Sequence, residues 1–338
     1  MNNYKKIGLS ALAGSLAMVS ANAVEYTMSG GLMAVITTQD APSSADSGKA
    51  IGTATDLAFN ASGELDNGFT VGYFMGLDTD GAVSQTSSQM TVGMGSLGTL
   101  QINNKFGSKA NAIDDISPVA YNETWDGLSP DNPSSFGSST ASGSIDYRIP
   151  AQEIEGVTIN ASLTYDPAVG QSAATKGGVN SSSVSGEAYT LQMAHESGVE
   201  IGAGIEKLND DSGLVSAKGT ERMTGYVKYS TGGLTASYQQ TSDDPRNGTG
   251  VEGAYKETSM TGVAYTSGDL TVSYNEATIK TAAVSDTAAL ADIDLQSIQA
   301  AYTMGAMTIS AAMSETSNTL GVTGNNYDEN TLAFSFAF

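Results

Sequence analysis

The sequence predicts an all-β fold, a transmembrane antiparallel β-barrel of about 16 strands. Three observations point to it. Apolar and polar residues alternate with a period of two through segment after segment, which gives each strand one greasy face and one hydrophilic face. The segments are close to the roughly 9–11 residues with which a tilted strand crosses a bilayer, nearly twice the about 5–6 of an average soluble strand. The connections are alternately tight and long, which gathers the tight turns at one end and the long loops at the other.

Composition narrows the class. The 338 residues carry 36 acidic and 14 basic side chains, a formal charge of −22, so the basic surface that nucleic-acid phosphates require is absent. Hydrophobic residues make up 40%, yet no run of about 18 apolar residues exists to cross a membrane as a helix. The absence of cysteine removes disulfide and thiolate chemistry. A hydrolytic triad or a multi-histidine zinc site is hard to build from the single histidine, His195, which reads as a strand-end residue beside the Ser197-Gly198 turn. Neither a G-x-x-x-x-G-K-[ST] phosphate loop nor a calcium-binding nonapeptide array occurs. These absences point to a protein that is not an enzyme and has no cofactor.

The chain opens on a targeting pattern. Lys5 and Lys6 precede a short apolar stretch, Ile7 to Val19, and Ala21-Asn22-Ala23 is the small-x-small pattern that signal peptidase reads. Residues 1–23 are expected to be removed, leaving 24–338 as one exported domain.

The strands then follow in order. Tyr26, Met28, Leu32, Ala34 and Ile36 share one face of the first, with Thr27, Ser29 and Thr37 opposite. The second turns Ile51, Leu57 and Phe59 one way and Asp56 and Asn60 the other. Asp66-Asn67-Gly68 is a hairpin signal, because Asn-Gly tolerates positive φ. The third strand carries Phe69, Val71, Tyr73, Met75 and Leu77 on one side. Further strands are expected over Gln89–Gly95, Thr99–Lys105, Gly143–Ile149, Val157–Asp166, Glu187–Glu196, Val199–Leu208, Glu221–Ser230, Leu234–Thr241, Tyr255–Thr266, Leu270–Thr278, Asp294–Met304 and Ala306–Glu315. Ser96-Leu97-Gly98, Ser197-Gly198, Gly232-Gly233, Gly268-Asp269 and Gly305 mark tight turns, and Ala151 to Glu155 a slightly longer connection. The last strand, Asn330 to Phe338, alternates Leu332, Phe334, Phe336 and Phe338 with Ala333, Ser335 and Ala337. Tyrosines recur near strand ends, among them Tyr165, Tyr189, Tyr238 and Tyr274, as in an aromatic belt at the headgroup level.

An apolar, aromatic final strand ending on Phe338, the N-terminal export pattern and a long third loop together resemble the Gram-negative outer-membrane general diffusion porins, above all the sixteen-stranded trimeric porins of alphaproteobacteria. The resemblance implies an outer-membrane channel for passive diffusion of ions and small hydrophilic solutes, a homotrimer in outer-membrane lipid, and Phe338 as the residue that closes the barrel. It also implies that the long segment Phe106 to Thr140 folds into the lumen as a constriction loop. That segment carries Asp114, Asp115, Glu123, Asp126 and Asp131, with Phe106, Tyr121, Trp125 and Phe136 as anchors and Pro118, Pro130 and Pro133 to stiffen it. Parity puts Lys105, Arg148, Arg222 and Lys228 on the hydrophilic wall, where the family places bases that set up a transverse field. Asp56, Asp146, Asp166, Glu200 and Glu206 share that face, so weak to moderate cation selectivity is expected. Asp114 and Asp115 offer oxygen ligands of the kind Ca²⁺ takes, although diffuse counterions are the simpler reading. Two other classes fit less of the sequence: an exported non-channel β-protein of adhesin or surface-layer type, and an outer-membrane enzyme built on His195.

Overall fold

A strand that is apolar on one face and polar on the other still needs a bonded neighbour along both edges, and in lipid no water can stand in for one. This chain meets the requirement by closing on itself. The computed structural model describes residues 24–41, 47–79, 82–105, 107–126, 131–133, 136–169, 184–210, 219–245, 255–282 and 290–338, so the expected signal segment 1–23 lies outside the described residues. The strands are β1 (Glu25–Asp40), β2 (Gly48–Glu64), β3 (Thr70–Asp78), β4 (Ser84–Gly93), β5 (Thr99–Asn104), β6 (Ser144–Arg148), β7 (Gln152–Ile154), β8 (Val157–Asp166), β9 (Val184–His195), β10 (Val199–Asp210), β11 (Thr220–Thr231), β12 (Leu234–Pro245), β13 (Lys256–Ser267), β14 (Leu270–Thr281), β15 (Ile293–Met304), β16 (Met307–Ser317) and β17 (Tyr327–Ala337). They form one antiparallel sheet, and β17 returns to β1 from Gly31↔Ala337 to Asp40↔Asp328, which leaves no edge.

β6 and β7 are two halves of one stave, so seventeen strands make sixteen staves. Arg148 pairs with Ser162 and Gln152 with Ile159, so four steps on one side match three on the other. The extra residue is taken up as a bulge around Pro150, whose ring nitrogen has no proton to give the ladder. The expectation that Ala151 to Glu155 is a plain connection is thereby corrected. Gln152–Ile154 is strand, and the turn is Glu155-Gly156, with φ of 48° and 79°.

Seven staves, from β9 to β15, are each 12 residues long. At about 3.3 Å per residue and a tilt of about 45°, such a strand rises about 28 Å, the thickness of a bilayer's hydrocarbon core. The exposed face is apolar: Leu191, Ile201, Val227, Tyr238, Val263, Tyr274 and Ile298 all lie open. Exposed apolar surface of this extent is stable only against hydrocarbon. The alternate face is buried and mostly polar, with Thr190, Thr224, Gln239, Ser273, Asn275, Ser297 and Gln299. It is not polar throughout, as the alternation had suggested: Met33, Met260, Ile279, Ile293 and Leu295 are also buried on it.

Candidate functional site

The connection between β5 and β6 is the long third loop, and it is fastened to distant staves at many points. Side-chain amides form a second ladder with its backbone. On β12, Gln239 accepts the Ile116 N–H (3.0 Å) and donates to the Ile113 carbonyl (2.9 Å). On β14, Ser273 accepts the Ala120 N–H (2.9 Å) and Asn275 donates to the Pro118 carbonyl (3.0 Å). On β15, Gln299 accepts the Tyr121 N–H (2.8 Å) and donates to the Asn122 carbonyl (2.5 Å). On β13, the Thr258 hydroxyl donates to the Pro133 carbonyl (2.6 Å). A loop without internal ladder bonds has its buried backbone groups satisfied in this way.

Three aromatic residues add apolar anchorage, each in its own cluster. Phe136 packs with Ile113, Ala110, Ala188 and Tyr226. Trp125 packs with Met260, Ala277, Ile279, Ile293 and Leu295. Tyr121 packs with Met33, Ala312 and Ala333, and its hydroxyl reaches the Met33 sulfur at 3.5 Å. Glycines make room for the loop. A Cβ on Gly204 would lie 2.3 Å from the Phe136 ring, and one on Gly262 would lie 2.8 Å from Pro118. Phe106 and Pro130 lie outside the described residues.

The expected wall cations serve as fasteners. Arg222 is bonded to Glu206 (3.0 Å) and Asp243 (3.0 Å), and it donates to the Ser139 hydroxyl at 2.6 Å. Glu206 in turn accepts the N–H groups of Gly137 and Thr140 and the Thr140 hydroxyl. Arg148 meets Asp146 at 2.8 Å and donates to the Gly107 carbonyl. Lys228 meets Glu200 at 2.8 Å, and the Lys105 ammonium donates to the Gln85 carbonyl. Three of the four therefore have their charge matched by a wall carboxylate.

Several loop acids shape the loop's own turns. Asp114 accepts the Asp115 N–H (2.9 Å), Asp115 accepts the Ser117 N–H (2.7 Å), and Asp126 accepts the Glu123 N–H (3.3 Å). Glu123 itself is buried. Asp131 ties the loop to the β16–β17 connection through the Leu320 N–H (3.2 Å), and burial pushes its carboxyl above the ordinary carboxylate range, against the pull of that N–H and of Lys256. No group of three or more His, Cys, Asp and Glu that could hold a metal exists among the described residues. His195 accepts the Ser197 N–H at its Nδ1 (3.1 Å), as a turn residue does.

Aromatic residues within a long polar loop point to the anchors from sequence, but the amides and the glycines that receive them are not read from it. Isolated Gln and Asn on the buried face of strands, where such residues are depleted, were the available signal.

Phe338 sits at the seam. Its N–H donates to the Gly30 carbonyl (3.0 Å), and its carbonyl accepts the Gly30 N–H (2.7 Å).

Comparison with known proteins agrees with this architecture. The family model described as Gram-negative porin matches residues 8–338. No curated protein matches the chain. Among solved structures, an anion-selective porin from Comamonas acidovorans is 12% identical with a TM-score of 0.69, covering 94% of this chain and 100% of that one. OmpF of Salmonella typhi, in a complex with daunomycin, is 13% identical with a TM-score of 0.69, covering 95% and 99%. A loop-deletion mutant of OmpT from Vibrio cholerae is 11% identical with a TM-score of 0.64, covering 94% and 100%. Identities this low carry the fold alone. Family match and closed sixteen-stave barrel together make the chain a member of the Gram-negative porin family, a channel protein of the outer membrane and not an enzyme.

Proposed function

We propose that this porin is a general passive channel for ions and small hydrophilic solutes, with the β5–β6 loop lying inside the barrel as its constriction. The observation that carries the reading is the set of bonds from that loop to buried-face side chains of β10, β12, β14 and β15. A segment held from so many staves at once narrows the space they enclose. Eight strands would fill with side chains, whereas about sixteen leave a water-filled lumen. In the family's manner, the protein is exported with residues 1–23 removed and works as a homotrimer.

Selectivity follows from the charge inventory. Arg148, Arg222 and Lys228 are each matched by a carboxylate, while the chain as a whole is strongly acidic. In a confined, weakly screened passage the excess negative charge favours cations modestly. The loop acids Asp114, Asp115, Glu123, Asp126 and Asp131 contribute through their field and hold no calcium. The test is planar-bilayer recording of the purified protein under a KCl gradient. Stepwise conductance with a reversal potential of cation sign supports the reading. A membrane-inserted barrel without steps defeats the channel, and a reversal potential of anion sign defeats the selectivity.

A further inference from the structure

The buried face of β1 to β4 is one of several stretches of wall without a base, whereas β6 and β11 supply Arg148, Arg222 and Lys228. A cavity of about 330 Å³ lies against it, lined among others by Met33, Ala54, Ala58, Phe74, Gly76 and Asp56. Register places these side by side: Met33 pairs with Ala54, Ala58 with Gly76, and Asp56 stands between Ala54 and Ala58 on the same face of β2. Phe74 follows one step beyond Gly76 on that face of β3. At Gly76 the β3–β4 register shifts, so that Thr86 is an extra residue, and a Cβ on Gly76 would lie 2.8 Å from the Thr86 hydroxyl. The bulge and the missing side chain keep the floor of the cavity open beside Phe74.

The cavity thus sets a phenyl ring and the edge of the Met33–Tyr121 cluster beside Asp56, which stands opposite Asp78 in register. We infer that this cavity is a subsite for organic ammonium ions that carry a small apolar or aromatic group, with Phe74 and Met33 taking the apolar part and Asp56 the charge. The inference rests on the channel reading above. Solutes of this class pause at the wall, while simple cations of equal charge pass.

The experiment is single-channel recording in KCl with 2-phenylethylammonium or ethylammonium added at equal concentration. The wild-type protein is expected to show current interruptions about tenfold longer with the aromatic amine, the factor that partial burial of one ring supports. Phe74→Ser, and independently Ala58→Trp, which fills the cavity, should bring the two amines within about twofold of each other while KCl conductance steps persist. Asp56→Asn should shorten the interruptions by the aromatic amine. Equal interruptions by both amines in the wild type would overturn the subsite, as would a tenfold difference that survives in both conducting variants. Loss of KCl steps in the wild type would instead defeat the channel reading, and the subsite with it.

Discussion

Arg222 of β11 and Glu206 of β10 stand opposite one another in register and meet at 3.0 Å, with the Glu206 side chain fully buried. The carboxylate also holds the loop at Gly137 and Thr140, and the guanidinium holds Ser139, so one ion pair fixes the end of the β5–β6 loop. Removing one partner of a buried pair leaves an uncompensated charge, which costs roughly 3–5 kcal/mol. Arg222→Met is therefore expected to lower the thermal midpoint in detergent and to raise open-channel current noise. A variant with wild-type midpoint and noise would show that the pair does not hold the loop.

Gly204 faces Phe136 at a distance that excludes even a methyl group. Gly204→Val must push the ring out of its cluster with Ile113 and Ala188, an overpacking cost of about 1–3 kcal/mol. Faster proteolysis within the loop of the folded variant is the expected readout, and protection equal to the wild type would contradict it.

Deleting Phe338 removes the two backbone bonds to Gly30 and the ring that lies over it. Where no water can replace them, the loss is about 1–3 kcal/mol at the seam that joins the two ends of the chain. The fraction of refolded protein that migrates in the heat-sensitive form on an unboiled denaturing gel should fall. An unchanged fraction would mean that the seam closes without this residue.

Asp131 gives a pH signature. Its folded carboxyl titrates above its ordinary value because burial outweighs the Leu320 N–H and Lys256. The folded state therefore holds the proton more tightly than the unfolded state. The stability linked to this group is complete below the ordinary value of 3.8 and is lost as pH rises through the raised one. Thermal midpoints scanned from neutral to mildly acid pH should show that component in the wild type and lose it in Asp131→Asn. An identical pH dependence in both proteins would remove Asp131 from the explanation.

The strands were legible because a bilayer imposes a strict apolar alternation, and Val157–Asp166 matches its expected bounds residue for residue. Their ends were less so. β12 runs on to Pro245 and β14 to Thr281, where the ladder rises past the lipid and apolar residues no longer mark it. Pro150 reads as a stop but is a bulge within a stave. The loop's anchors Tyr121, Trp125 and Phe136 could be named from sequence, because aromatics in a polar loop need somewhere to go. Their seats could not, since Gln239, Asn275, Gln299 and Gly204 come together only through register across strands far apart in the chain.

The stave heights have a mechanical consequence. Fifteen residue pairs join β1 to β2 and ten close the seam between β1 and β17, but only five join β5 to β6. A cylinder under lateral load tears where the fewest bonds share the strain. The joint that closes the barrel is thus not the fault line, which runs instead beneath the departing loop, while the cross-bracing that the loop supplies reaches the distant staves β10 to β15.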